Sequence, residues 1–118
     1  MEAPPAGAVV LISFPFSDLS RSKLRPAVVL ARVSRGDYVL CQVTSNPYAD
    51  PKAVELTEDS FREGSLQRVS YARPGKLFTA NAAVLEGQVG LSGEEVRSEI
   101  VSEVVDLLRA GEMPLEGE

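Results

Sequence analysis

The chain has 118 residues, of which 44% are hydrophobic, a formal net charge of -5, one cysteine and no histidine. That size predicts one domain over residues 1–118, with a core at about 6–110 and an acidic tail at 111–118. The missing histidine excludes a Ser-His-Asp triad, a Cys-His pair and a His-based zinc site, and the lone Cys41 excludes an intrachain disulfide.

In chain order, Ala8 to Phe14 is a short β-branched run that reads as a buried strand. Its apolar stretch is far shorter than the ~20 residues a membrane span needs, and no cationic lead-in precedes it, so no membrane and a cytoplasmic location are expected. The polar segment from Pro15 to Arg25 reads as a binding loop, and Pro26 as the opening of a second strand. Ser34 to Asp37 has turn chemistry, with Gly36 free to take positive φ, so the flanking runs should form a hairpin. In the third strand, period-two alternation sets Val39, Cys41 and Val43 on one face and Leu40, Gln42 and Thr44 on the other. A short strand is expected at 53–57, and two extended pieces at 71–79 and 83–90, the first bent or bulged at Pro74-Gly75. Ser92 with Glu95 predicts a capping box for a final helix whose apolar positions are Val96, Ile100, Val104, Leu107 and Leu108, stopped by Gly111. Short strands followed by one helix predict a mainly β (α+β) fold, a small β barrel with a C-terminal α-helix.

The acidity is local. Residues 86–118 hold nine acids against Arg97 and Arg109, so the first 85 residues are net positive. Arg21, Lys23, Arg25, Arg32 and Arg35 share an acid-free stretch at 19–36, and Arg68, Arg73 and Lys76 share another at 65–80. Such stretches are the electrostatic footprint of a phosphate-bearing partner.

Arg25, fixed by Pro26, presents a planar fork that matches a phosphate, and the hydroxyls of Thr44 and Ser45 at a strand end supply further hydrogen bonds. The more ordinary reading of the same residues is an ion pair of Arg25 with an acid such as Asp18, and a turn at Ser45-Asn46-Pro47. Spacing alone leaves both open.

The order of the pieces, VVLISFPFSDLSRSKLRPAVVLARV, then YVLCQVTSN, then YARPGKLFT and the final helix, resembles the MazF/PemK-like toxins of bacterial toxin-antitoxin modules over nearly the whole chain. The matching residues are Arg25-Pro26, Thr44-Ser45, Ser70, Arg73, Lys76-Leu77 and Thr79. The resemblance implies an SH3-like barrel of the CcdB/MazF kind, a homodimer, and a metal-independent, cofactor-free endoribonuclease cutting single-stranded RNA at short sequences. Catalysis would then fall to Arg25 and Thr44 at the scissile phosphate. RNA binding would fall to Phe16, Ser17, Arg21, Lys23, Ser45, Arg73 and Lys76 along the groove, Phe14 and Phe16 offering a stacking face to a base or, alternatively, core or dimer packing. RNA supplies its own nucleophile in the 2′-OH, which suits a chain without histidine. A guanidinium holds its proton far above neutral pH, so Arg25 is read as an electrostatic clamp and acid, and no residue is assigned as the base. The implied protein partner is a cognate antitoxin with an acidic, partly apolar tail, and DNA would be bound only through it. The alternatives are a non-catalytic barrel, a gyrase-inhibiting toxin, or an inactive relative kept as an antitoxin partner.

Overall fold

The structure is a computed structural model and describes residues 3–15 and 22–112. Among these residues lie β1 (Ala8–Pro15), β2 (Ser22–Arg32), β3 (Asp37–Thr44), β4 (Val54–Leu56), β5 (Phe61–Gly64), β6 (Ser70–Asn81), β7 (Leu85–Ser92) and α1 (Glu94–Ala110). The strands form an antiparallel sheet in the order β4-β6-β3-β2-β1-β7-β5, curled into a half-barrel, so the expected mainly β fold with a C-terminal helix is the one observed.

The unbroken apolar runs of β1 and β2 arise because these central strands are buried on both faces. Val9, Val28, Leu30, Cys41 and Val43 share one apolar cluster with Ile100 and Val104 of α1, whereas Val10, Val29, Tyr38 and Leu40 belong to a second. Within β3 the expected alternation holds for Cys41 and Val43, which join the first cluster, against Leu40, which joins the second, while Val39, Gln42 and Thr44 belong to neither.

Four details differ from the sequence reading. The second strand starts at Ser22 rather than Pro26, because the backbone of residues 22–25 pairs with β1 from Pro15↔Ser22 to Ile12↔Arg25. Pro26 is tolerated inside β2 because pairing with β3 begins only at Ala27. β5 was not expected; it pairs with β7 through Gly64, where a Cβ would sit 2.1 Å from the Val89 carbonyl oxygen. Ser92 does not cap the helix. It ends β7 and donates its hydroxyl to the Gly7 carbonyl at 2.8 Å, while Gly93 takes the N-cap position without a side-chain bond. Leu108, expected on the apolar face, is 70% exposed, and Val101 packs against the core instead.

Gly111 ends α1 in the left-handed conformation and donates its N–H to the Leu107 carbonyl, as its position predicts. The bulge expected at Pro74-Gly75 is present: Val43 pairs with Ala72 and Cys41 with Leu77, so residues 73–76 stand opposite Gln42 alone. No helix among the described residues is long and apolar enough to cross a membrane.

Candidate functional site

β2 and β3 lie side by side, and where β3 stops at Thr44 the extension of β2 continues along β1. The step in the sheet leaves a pocket of about 210 Å³. Lys23, Leu24, Arg25 and Pro26 of β2 line it, with Leu11 of β1, Val43 and Thr44 of β3, Ser45, and Leu66, Arg68 and Ser70 from the entry to β6. The lining carries three cations, three hydroxyls and no carboxylate. Such a set stabilises an anion, since guanidinium and ammonium groups neutralise it and hydroxyls complete its hydrogen bonds.

Two of the hydroxyl-bearing residues are held by burial and hydrogen bonds. Thr44 and Ser70 are both buried, and the Thr44 Oγ1 accepts the Asn46 N–H at 3.2 Å. The Ser70 hydroxyl donates to the Arg68 carbonyl at 3.3 Å, which ties the backbone of one cationic residue to a buried strand start. Arg25 is half-buried and Lys23 and Ser45 are exposed, so the pocket opens to solvent along its cationic side.

The fold thus brings Arg25, Thr44, Lys23 and Ser45 to the lining of one pocket. Arg73 and Lys76 do not line this pocket. Arg73 donates from Nε to Asp50 Oδ2 at 3.1 Å, and its guanidinium lies 5.6 Å from the centroid of the Tyr48 ring. Lys76 is exposed within the β6 bulge. The acids of α1 do not hold Arg73; Glu103 meets Lys52 at 3.8 Å. Phe16, Ser17 and Arg21, together with Asp18, lie outside the described residues. Arg68 is the cation that the sequence reading did not single out. Its signal was the acid-free stretch at 65–80, but only the turn into β6 decides which of the three cations there reaches the pocket.

No group of three or more His, Cys, Asp or Glu side chains that could hold a metal ion is found among the described residues.

No protein-family model matches the sequence, and no curated protein matches it. Solved structures do. The MazE-MazF complex (form II) of Deinococcus radiodurans superimposes with a TM-score of 0.75 at 22% identity, over 92% of this chain and 98% of that one. The chain has the fold of the MazF toxins. An endoribonuclease in complex with its cognate antitoxin from a Mycobacterial species matches with a TM-score of 0.70 at 15% identity, over 98% of this chain and 99% of the other. The toxin MazF-mt6 of Mycobacterium tuberculosis gives 0.63 at 12% identity, over 85% and 96%. In this chain the pocket sits where β2 overruns β3.

Proposed function

We propose that the protein is the toxin of a type II toxin-antitoxin module and a metal-independent, sequence-specific endoribonuclease acting on single-stranded RNA in the cytoplasm. The observation that carries this reading is the pocket joining Arg25 and Thr44 with Lys23, Ser45, Arg68 and Ser70. The shared fold with MazF toxins, one of the matched structures being an endoribonuclease, supports it.

In this reading the 2′-OH of one nucleotide loses its proton to a base and attacks the adjacent phosphorus. The O2′–P bond forms as the P–O5′ bond breaks, and the departing O5′ takes up the proton that the 2′-OH gave up, leaving a 2′,3′-cyclic phosphate and a 5′-hydroxyl. The negative charge that builds on the non-bridging oxygens is met by the Arg25 guanidinium through two charge-assisted hydrogen bonds. Thr44, whose Oγ1 already accepts the Asn46 N–H, turns its hydroxyl hydrogen to the same phosphate. Lys23 and Arg68 flank the strand and neutralise neighbouring phosphates. Holding the phosphate at two points aligns the 2′-OH for in-line attack.

The partner in this reading is a cognate antitoxin, as in the MazE-MazF complexes with the same fold. Leu24 and Val69, 49% and 47% exposed beside the cationic pocket, offer apolar surface next to positive charge, which suits an acidic, partly apolar segment. The toxin is proposed to act as a homodimer.

The test is cleavage of a long single-stranded RNA in EDTA with the cut sites and end groups mapped. The wild-type protein is expected to cut at a recurring short sequence and leave cyclic phosphate ends, and Arg25→Ala to lower kcat by about 10²–10³-fold. Intact RNA, or cleavage equal in Arg25→Ala, overturns the reading.

A further inference from the structure

We propose that Tyr48 is a stacking platform for an unpaired base of the RNA whose phosphate occupies the Arg25–Thr44 pocket, an inference that rests on the endoribonuclease reading. Tyr48 is 64% exposed, so the ring presents accessible aromatic surface to solvent. The loop backbone that carries the ring is fixed: the Tyr48 backbone N–H donates to Asn46 Oδ1 at 2.9 Å, and both Tyr48 and Ala49 hold left-handed backbone conformations, with φ of 53° and 58°. Asp50 then fixes the exit of the loop: its N–H donates to the Pro47 carbonyl, its Oδ1 accepts the Lys52 N–H, and its Oδ2 holds Arg73. The Asp50 side chain is almost fully buried, at 3% exposure, and it anchors the guanidinium that lies over the Tyr48 ring at 5.6 Å from its centroid.

The ring is therefore supported on one side by a cation while much of its surface is open. A cation against one face withdraws electron density, and a heterocyclic base stacks readily on the other. The loop also begins at the proposed reaction centre. Thr44 lines the pocket and accepts the Asn46 N–H, and four residues of chain span at most about 14 Å, so the platform lies within reach of nucleotides next to the clamped phosphate. A base stacked there fixes the register of the strand and thus which phosphate meets Arg25. This gives Arg73, which does not line the pocket, a positioning role through Tyr48 rather than a phosphate contact.

The test uses a labelled single-stranded 2′-O-methyl RNA of about 12 nucleotides and mixed sequence, which cannot be cut, and the same backbone without bases, with binding followed by fluorescence anisotropy. Tyr48→Ala and Tyr48→Leu are expected to weaken binding of the base-bearing strand roughly 5- to 100-fold, to leave the abasic strand unaffected, and to raise KM more than they lower kcat on cleavable RNA. Tyr48→Phe keeps the π face and restores binding. Thermal unfolding of each variant shows that the loop change has not unfolded the protein. Wild-type binding and cleavage with unchanged affinity in Tyr48→Ala and Tyr48→Leu overturn the platform while the nuclease reading stands. Equal rescue by Leu and Phe also overturns it, because apolar packing would then suffice. Wild-type binding without cleavage overturns the nuclease reading and leaves the Tyr48 variants to decide the platform. No binding of either strand overturns both. Loss of antitoxin binding in Tyr48→Ala with RNA affinity intact assigns the ring to a protein interface and overturns the proposal.

Discussion

Cys41 on β3 is fully buried and donates its thiol hydrogen to the Arg73 carbonyl at 3.1 Å. Desolvation pushes its pKa up from 9.0 to about 12, and the nearby Asp50 charge adds to the rise. A thiol held protonated in this way is a poor nucleophile, so native protein is expected to resist iodoacetamide at pH 8 and to react only once unfolded. The sign of the pH dependence follows from the raised value. Below pH 9 both folded and unfolded thiols are protonated and the full contribution is present. Between pH 9 and about 12 the unfolded thiol ionises first, the folded state binds the extra proton, and stability falls as pH rises. Denaturant unfolding at pH 8 and pH 11 is expected to show a smaller loss in Cys41→Ala than in wild type, and an equal loss refutes the assignment. Alternation alone predicted the buried face of Cys41. The Asp50–Arg73–Tyr48 cluster was not legible, since it joins side chains 23 and more positions apart through a loop whose left-handed turns no glycine announces.

At the scale of elements, α1 is the case where spacing was most informative and still gave two wrong details. Its apolar positions recur at helical spacing, yet Ile100 is fully buried and Leu108 is 70% exposed. The helix packs against β4 and β6, and Leu108 in its last turn lies off that packed face. Ile100→Ala should therefore lower the unfolding free energy by about 2–5 kcal/mol, and Leu108→Ala by less than about 0.5 kcal/mol, in urea unfolding. Comparable losses would show that the last turn packs on the core. Ser92 has the right residue type and spacing for a cap but is drawn into the sheet edge, where it binds the Gly7 carbonyl. The start of β2 was hidden for a related reason: Lys23 and Arg25 look like loop residues, but a ladder is made by main chain, and β1 supplies the partner. β5 gave no alternation to read in Phe61–Gly64, and depends on a glycine that lets two strands approach closely.

At the scale of the whole molecule, the net charge of -5 and the proposed polyanionic substrate are reconciled by where the charges lie. The acids concentrate in residues 86–118, whereas the described lining of the pocket holds Lys23, Arg25 and Arg68 without a carboxylate. Arg25, Thr44 and Ser45, which the resemblance pointed to from motif order, line one pocket because they sit on or just beyond regular strands. Arg68 was missed because it lies in the irregular entry to β6. Binding of single-stranded RNA releases counterions in proportion to the phosphates neutralised, at about 0.7 per contact in the slope of log affinity against log salt. Three contacting cations predict a slope of about -2, and removing one by Arg68→Ala should make it shallower by about 0.7. The slope counts local phosphate contacts and not net charge, so Glu99→Gln on the exposed side of α1 should shift affinity slightly and leave the slope unchanged. Anisotropy titrations of the uncleavable RNA across a salt series separate these cases. A slope unaltered by Arg68→Ala would remove Arg68 from the RNA path, and a slope altered by Glu99→Gln would mean that the strand runs along the helix instead.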